Sequence, residues 1–151
     1  MAICIGLLSG HSLLANEINR FDPETLHDDP TYAQVVTTNR VKTVYISGQT
    51  AVDVNGKIVG KGNLEKQAQQ SIKNAFEALK AAGATFQDVV HVRIYIKGYK
   101  KNSKSQFLLG VQKAFQDLKT QPPFAASTII GVERFDNADA LVEIELTASV
   151  D

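Results

Sequence analysis

Val142-Glu143-Ile144-Glu145-Leu146 sets two carboxylates at alternate positions of an apolar run. In a strand the two-residue rise holds them about 7 Å apart on one face. At that spacing one carboxyl can act as acid and the other as base, provided their surroundings separate their pKa values. The same alternation also describes the solvated face of an antiparallel sheet, so burial of that face decides whether Glu143 does chemistry. Tyr45-Ile46-Ser47-Gly48-Gln49 ends a strand-like run with a hydroxyl and unhindered backbone N–H groups that can face a ligand. A plain strand stop with Gly48 at positive φ is the competing reading. In PPFAASTIIGVERF, Pro122 to Phe135, two prolines stop a helix and feed extended chain. Ser127 and Thr128 then stand at the mouth of a strand among apolar neighbours.

Other chemistries find less support. No Gly-x-Ser-x-Gly elbow and no Cys/His pair points to nucleophilic catalysis. His11, His27 and His91 lack ligand spacing and Cys4 is the only cysteine, so no metal, no cofactor and no internal disulfide are expected. GKIVGKGN, Gly56 to Asn63, has no Ser or Thr after its Gly-Lys pair and fails as a phosphate loop. KGYKKNSK, Lys97 to Lys104, gathers four lysines around Tyr99, which would suit single-stranded nucleic acid. Against that, 16 Lys+Arg balance 16 Asp+Glu over 151 residues, so the chain has no overall field to recruit nucleic acid or acidic membrane. A solvated loop is expected there. Zero net charge favours self-association.

The elements that must position these groups follow from periodicity. Ala33 to Thr38 and Thr43 to Ser47 are rich in β-branched and aromatic residues around Asn39-Arg40, predicting a hairpin; Asn55-Gly56 predicts a tight turn. Leu64, Ala68, Ile72, Ala75, Phe76 and Leu79 recur at helical spacing, with Asn63 as N-cap and Gly83 beyond the last turn. Val90, Val92, Ile94 and Ile96 alternate with His91, Arg93, Tyr95 and Lys97 in a strand. Phe107, Leu108, Val111, Phe115 and Leu118 define a second helix opened by Ser103 or Ser105. Strands over Ala125 to Val132 and Ala140 to Val150 complete a β-β-α-β-α-β-β order. Two helices cover one face of such a sheet, which leaves the face of Glu143 and Glu145 needing other cover.

Residues 1–30 read as an N-terminal arm, with Glu17 to Pro30 irregular, polar and acidic. Residues 1–15 also have the apolar centre and small Ala15 of a weak signal segment, without a basic start and interrupted by His11. The expected compartment is the cytoplasm, or the periplasm or exterior if that segment acts as a signal. No stretch reaches the roughly 20 apolar residues of a membrane helix.

From Tyr32 to Ala148 the chain resembles the Rid (reactive intermediate deaminase) proteins, also called YjgF or L-PSP proteins. The resemblance rests on TYAQVV, VYISGQ, GKIVGKG, QAQQSIKNAFEALKAAGATFQDVV, VRIYIKG and LVEIELTA in that order. It implies an α+β, chorismate-mutase-like fold, one mixed sheet with two helices on one face, formed by residues 31–151 as a single domain. It further implies a homotrimer whose sheets close a central barrel, with a small polar metabolite bound in intersubunit clefts; this would cover the polar sheet face. Members hydrolyse enamines and imines such as 2-aminoacrylate to keto acids and ammonia without metal or cofactor. By resemblance, Tyr32 lines the cleft, Ser47 and Gly48 form a Ser-Gly turn that contacts ligand, and Glu143 positions or activates the attacking water.

Three departures follow. Gln112 stands for the family's helix asparagine, and Ile129 for its cysteine. Aligning Gly131-Val132 places Ser127, with Thr128 next, where deaminating members carry an arginine that grips the substrate carboxylate. A neutral hydroxyl cannot reproduce that paired, charge-assisted contact, worth about 1.5–3 kcal/mol. Arg93, on the polar face of its strand, is the candidate replacement cation. The expectation is therefore an imine/enamine deaminase weakened at its anchor. The alternatives are a non-catalytic metabolite-binding or chaperone-like protein, and the endoribonuclease or translation inhibitor activity of some members.

Overall fold

The computed structural model describes residues 17–26 and 30–151. The signal-like stretch 1–15, with Cys4 and His11, and His27 lie outside these residues. The elements are β1 (Ile18–Phe21), β2 (Val35–Thr38), β3 (Lys42–Gln49), α1 (Leu64–Ala81), β4 (Val89–Lys97), α2 (Ser103–Leu118), β5 (Ala126–Val132) and β6 (Val142–Val150). The main sheet runs β3-β6-β4-β5, antiparallel except for the parallel pair β4 and β5. The α+β class, the mixed sheet and the two helices agree with the sequence reading.

α1 forms where the apolar period is clearest. Asn63 caps it by accepting from the Lys66 N–H at 2.9 Å, and Gly83 takes φ +74° just past its end, a conformation that L side chains resist. Leu64, Ala68, Ile72, Ala75 and Leu79 bury against Val44, Ile46, Ile94, Ile96, Val142, Ile144 and Leu146 of the sheet. Phe86 lies in the middle, edge-on to Phe115 at 4.8 Å and stacked on Phe76 at 6.0 Å. Gly110 lets α2 approach α1 closely; a Cβ there would stand 2.2 Å from the Glu65 carbonyl oxygen. Gln67 is fully buried because it ties the entry to β6: its Nε2 donates to the Asp139 carbonyl and its Oε1 accepts from the Leu141 N–H, both at 2.8 Å.

The expected hairpin between Ala33–Thr38 and Thr43–Ser47 does not form. β2 pairs instead with β1, from Ile18 opposite Thr38 to Phe21 opposite Val35, so part of the segment expected to be irregular is a strand. Asn39 turns toward Glu17, accepting its N–H at 2.7 Å. This ribbon is moored by charged groups. Arg20 donates to the carbonyls of Gln87 and Val89 at 2.7 and 3.1 Å. Arg40 pairs with Asp88 at 2.5 Å and reaches the Ser149 carbonyl at 3.0 Å. Asp88 in turn caps the short 3-10 turn Phe86–Asp88, accepting from the Thr85 N–H and hydroxyl. α2 also opens differently from expectation. Asn102 is its N-cap residue, and the Ser103 hydroxyl accepts from the Lys100 N–H at 2.8 Å.

Candidate functional site

On β6 the apolar residues face the helices, which leaves Glu143, Glu145 and Thr147 on the other face. β4 is in register with them: Tyr95 lies opposite Glu143, Arg93 opposite Glu145 and His91 opposite Thr147. The β3–β6 pairing slips at this level, with Ile46 opposite Leu146 but Gln49 opposite Ile144. Ser47 and Gly48 therefore share one step of β6, a bulge. Gly48 is not in the positive-φ region, so the simple turn reading does not hold. It is a glycine because Glu143 lies against it: a Cβ at Gly48 would stand 2.1 Å from Oε1 of Glu143.

The two carboxylates differ in their surroundings. Glu145 accepts from Arg93 Nη1 and from the Tyr95 hydroxyl, each at 3.2 Å. Among the described residues no donor or cation pairs with Glu143. Partial burial, and then the neighbouring charges of Glu145 and Asp136, lift its pKa above the ordinary glutamate range. A half-buried, unpaired carboxylate of raised pKa is suited to taking a proton from water and returning it.

The other candidates divide between two faces. Parallel pairing sets Thr128 beside Arg93 and Ser127 beside Val92. Thr128 thus shares the face of Arg93 and Glu145, and the Ser127 side chain lies on the helix side. Tyr32, Ser127 and Thr128 all line a cavity of about 760 Å³ between α2, β5 and the segment before β5. Gln112 lies outside it, in a depression along α2 toward Lys119 and Pro122. The structure therefore brings Ser47, Gly48, Arg93, Thr128 and Glu143 to one sheet face, and does not place Ser127 or Gln112 there. Two participants were missed as site residues: Tyr95, which the alternation of β4 placed on this face, and Asp136, whose loop has no periodic signal. Among the described residues no group of three or more His, Cys, Asp or Glu is placed to hold a metal, and no helix is long and apolar enough to cross a membrane.

Comparison with known proteins agrees with this architecture. The family model described as endoribonuclease L-PSP matches residues 25–150. A 2-iminobutanoate/2-iminopropanoate deaminase of Dermatophagoides farinae is 33% identical over 114 residues, covering 76% of this chain and 81% of the relative. A RutC family protein of Sulfurisphaera tokodaii is 32% identical over 71% of this chain and 79% of its own length. Among solved structures, the Rid-family protein YyfB of Yersinia pestis, of unknown function, superposes with TM-score 0.76 at 31% identity, covering 88% of this chain and 98% of its own. The YjgF gene product of E. coli gives 0.59 at 25% identity, covering 78% and 87%. With the sheet order, the two helices and the Gly48–Glu143 contact in place, these matches establish that the chain belongs to the Rid (YjgF/L-PSP) family.

Proposed function

We propose that this chain is an imine and enamine hydrolase that converts small 2-imino or 2-enamino acids to keto acids and ammonia. The observation that carries the reading is the unpaired Glu143 carboxylate packed on Gly48. An enamine first tautomerises to its imine; Glu143 then takes a proton from water as the oxygen adds to the carbon of the protonated imine, and the resulting carbinolamine collapses to the carbonyl as that proton is delivered to the departing amine and the hydroxyl proton passes to the freed Glu143 carboxylate. The names of the curated deaminases support the reaction class.

Carboxylate anchoring is the weak part. β5 offers Thr128 rather than a cation on the face of Glu143, and Arg93, beside it, already holds Glu145. Turnover of 2-aminoacrylate is accordingly at least about tenfold below that of an arginine-bearing relative, the consequence of losing about 1.4 kcal/mol in the transition state. The working unit is proposed to be a homotrimer of the residue 31–151 domain. Exposed Tyr45, Leu109 and Phe124 and the open polar sheet face support this. The test is ammonia release from freshly generated 2-aminoacrylate by wild type and Glu143→Gln, with light scattering for the trimer. Loss of activity in the variant is expected; equal activity in both removes Glu143 from the reaction. The missing β5 cation favours a second reading, a binder without turnover, for which saturable binding of 2-oxobutanoate with no ammonia release would be the outcome.

A further inference from the structure

We infer that the site around Glu143 prefers imines that carry no carboxylate, taken as protonated iminium cations, and that Glu145 sets this preference by occupying Arg93. This rests on the hydrolase reading and names its substrate class. The Glu145 carboxylate accepts from Arg93 Nη1 and from the Tyr95 hydroxyl, each at 3.2 Å, so it already takes the contacts that a substrate carboxylate would need. Among the described residues no second cation is directed at this pair of glutamates. β5 sets Thr128 beside Arg93 and Ile130 beside Tyr95, one neutral hydroxyl and one hydrocarbon. The Lys97 ammonium is held at the Ala138 carbonyl, 2.7 Å away. His91, opposite Thr147, has its pKa lowered by burial and then by Arg93, which leaves it neutral at pH 7. The charges that raise the pKa of Glu143, those of Glu145 and Asp136, are both negative. Lys104 lines the cavity of Ser127, on the helix side of the sheet and away from Glu143.

An imino acid brings a further anion to this surplus of negative charge. Binding through Arg93 displaces Glu145 and leaves it unpaired two residues from Glu143, where like charges oppose each other's ionisation. Binding without Arg93 leaves the substrate carboxylate with no charge-assisted contact. An iminium ion without a carboxylate meets neither difficulty. Its charge is opposite to that of Glu143, and its presence favours the ionised carboxylate that the reaction needs. The step balances as a protonated imine and water giving an aldehyde and an ammonium ion. The water oxygen bonds to the imine carbon while Glu143 takes a proton and returns it to nitrogen; the carbon–nitrogen bond then breaks as the hydroxyl proton passes to Glu143 and on to the released ammonia.

The test uses two imines that differ only in the carboxylate: 2-iminohexanoate, released from norleucine by a flavin amino-acid oxidase, and pentan-1-imine, released from pentylamine by a flavin amine oxidase. Ammonia release is timed against the peroxide formed, with the spontaneous rate subtracted. Wild type should favour pentan-1-imine in kcat/KM by at least about tenfold. Glu145→Gln frees Arg93 and should lower that ratio by at least about tenfold, chiefly through a lower KM for 2-iminohexanoate; should it fail to fold, Glu145→Ala takes its place. Lys104→Met should leave the ratio unchanged. Both activities should fall in Glu143→Gln; their survival removes Glu143 from the reaction and the inference with it. If wild type turns over neither imine, the hydrolase reading fails by itself and calorimetry decides the charge preference: pentylammonium should still bind saturably, at least about tenfold more weakly in Glu143→Gln, and hexanoate should not displace it. Equal or reversed preference in wild type, an unmoved ratio in the folded Glu145 variant, a ratio changed by Lys104→Met or, without turnover, no such pentylammonium binding would each overturn the inference.

Discussion

Replacing Gly48 with alanine tests the proposed site through its geometry rather than its charge. The new methyl would stand 2.1 Å from Oε1, 2.4 Å from Cδ and 2.7 Å from Cγ of Glu143. Relief requires these atoms to retreat to ordinary contact beyond 3.4 Å, which for Oε1 is a displacement of more than 1 Å. The three nearest atoms all belong to the flexible Glu143 side chain, and the backbone of Gly48 is not in the left-handed region. Rotating Glu143 away from its preferred torsions costs about 0.5–1.5 kcal/mol, so the variant should fold with a small loss in melting temperature. Catalysis is less tolerant, since a misplacement of about 1 Å can cost 100-fold. The measurement is kcat/KM for 2-aminoacrylate hydrolysis beside thermal unfolding, with Glu143→Gln in parallel. Gly48→Ala is expected to lose about 100-fold and to approach the Glu143→Gln rate. Wild-type kcat/KM at wild-type stability would refute the placement of the reactive carboxylate; a collapse in stability would refute the claim that Glu143 can move aside.

Four further outcomes are expected. Glu143 must be ionised to accept a proton, so activity should rise with pH through its raised pKa; Glu145→Gln removes a like charge and should shift that acid limb to lower pH. Because the folded state holds the Glu143 proton more tightly than the unfolded chain, the stability this contributes is full below the ordinary glutamate pKa of about 4.3 and lost as pH rises through the folded value. Glu143→Gln should therefore melt higher than wild type at pH 7, with the gap closing toward pH 4 in a melting series. Gln67→Leu leaves the Leu141 N–H and the Asp139 carbonyl without their partner and should cost about 2–4 kcal/mol in urea unfolding. Finally, nuclease-free protein should leave RNA intact, since Lys97 is already bound to the Ala138 carbonyl at 2.7 Å and the chain carries no net charge.

Periodic elements were legible in the sequence because their periods are properties of the chain itself. α1 was readable from Asn63 to Gly83, and β6 from the alternation that separates Glu143 and Glu145 from Val142, Ile144 and Leu146. Partners are a different matter. β2 and β3 both carry strand composition, yet nothing in Val35–Thr38 names Ile18–Phe21 as its neighbour, and a four-residue strand inside an acidic stretch leaves almost no pattern. Parity was hidden at β5 for a related reason. Ser127 and Thr128 are adjacent hydroxyls, and only the register with β4 decides which of them faces Arg93. The Ser47–Gly48 bulge was legible as a pair of small residues, but not as the step that lets Glu143 lie against backbone, since a register slip leaves alternation on either side intact.

Asp88 carries a consequence for how the molecule comes apart. The same carboxylate holds the turn before β4 and, through Arg40, the β1–β2 ribbon, and these bonds keep its pKa below the usual range despite the opposing effect of burial. Its contribution is therefore complete at neutral pH and fails only as acid titrates it through that lowered value. The ribbon's apolar anchorage is partial: Ile18, Val35 and Val36 are half-buried, and Phe21, at one end of it, is 47% exposed. The amino-terminal ribbon is thus fastened by charge and the body by hydrophobic burial, so the two yield to different agents. Salt and acid are therefore expected to loosen the ribbon before the sheet and its helices, and urea to act mainly on the body.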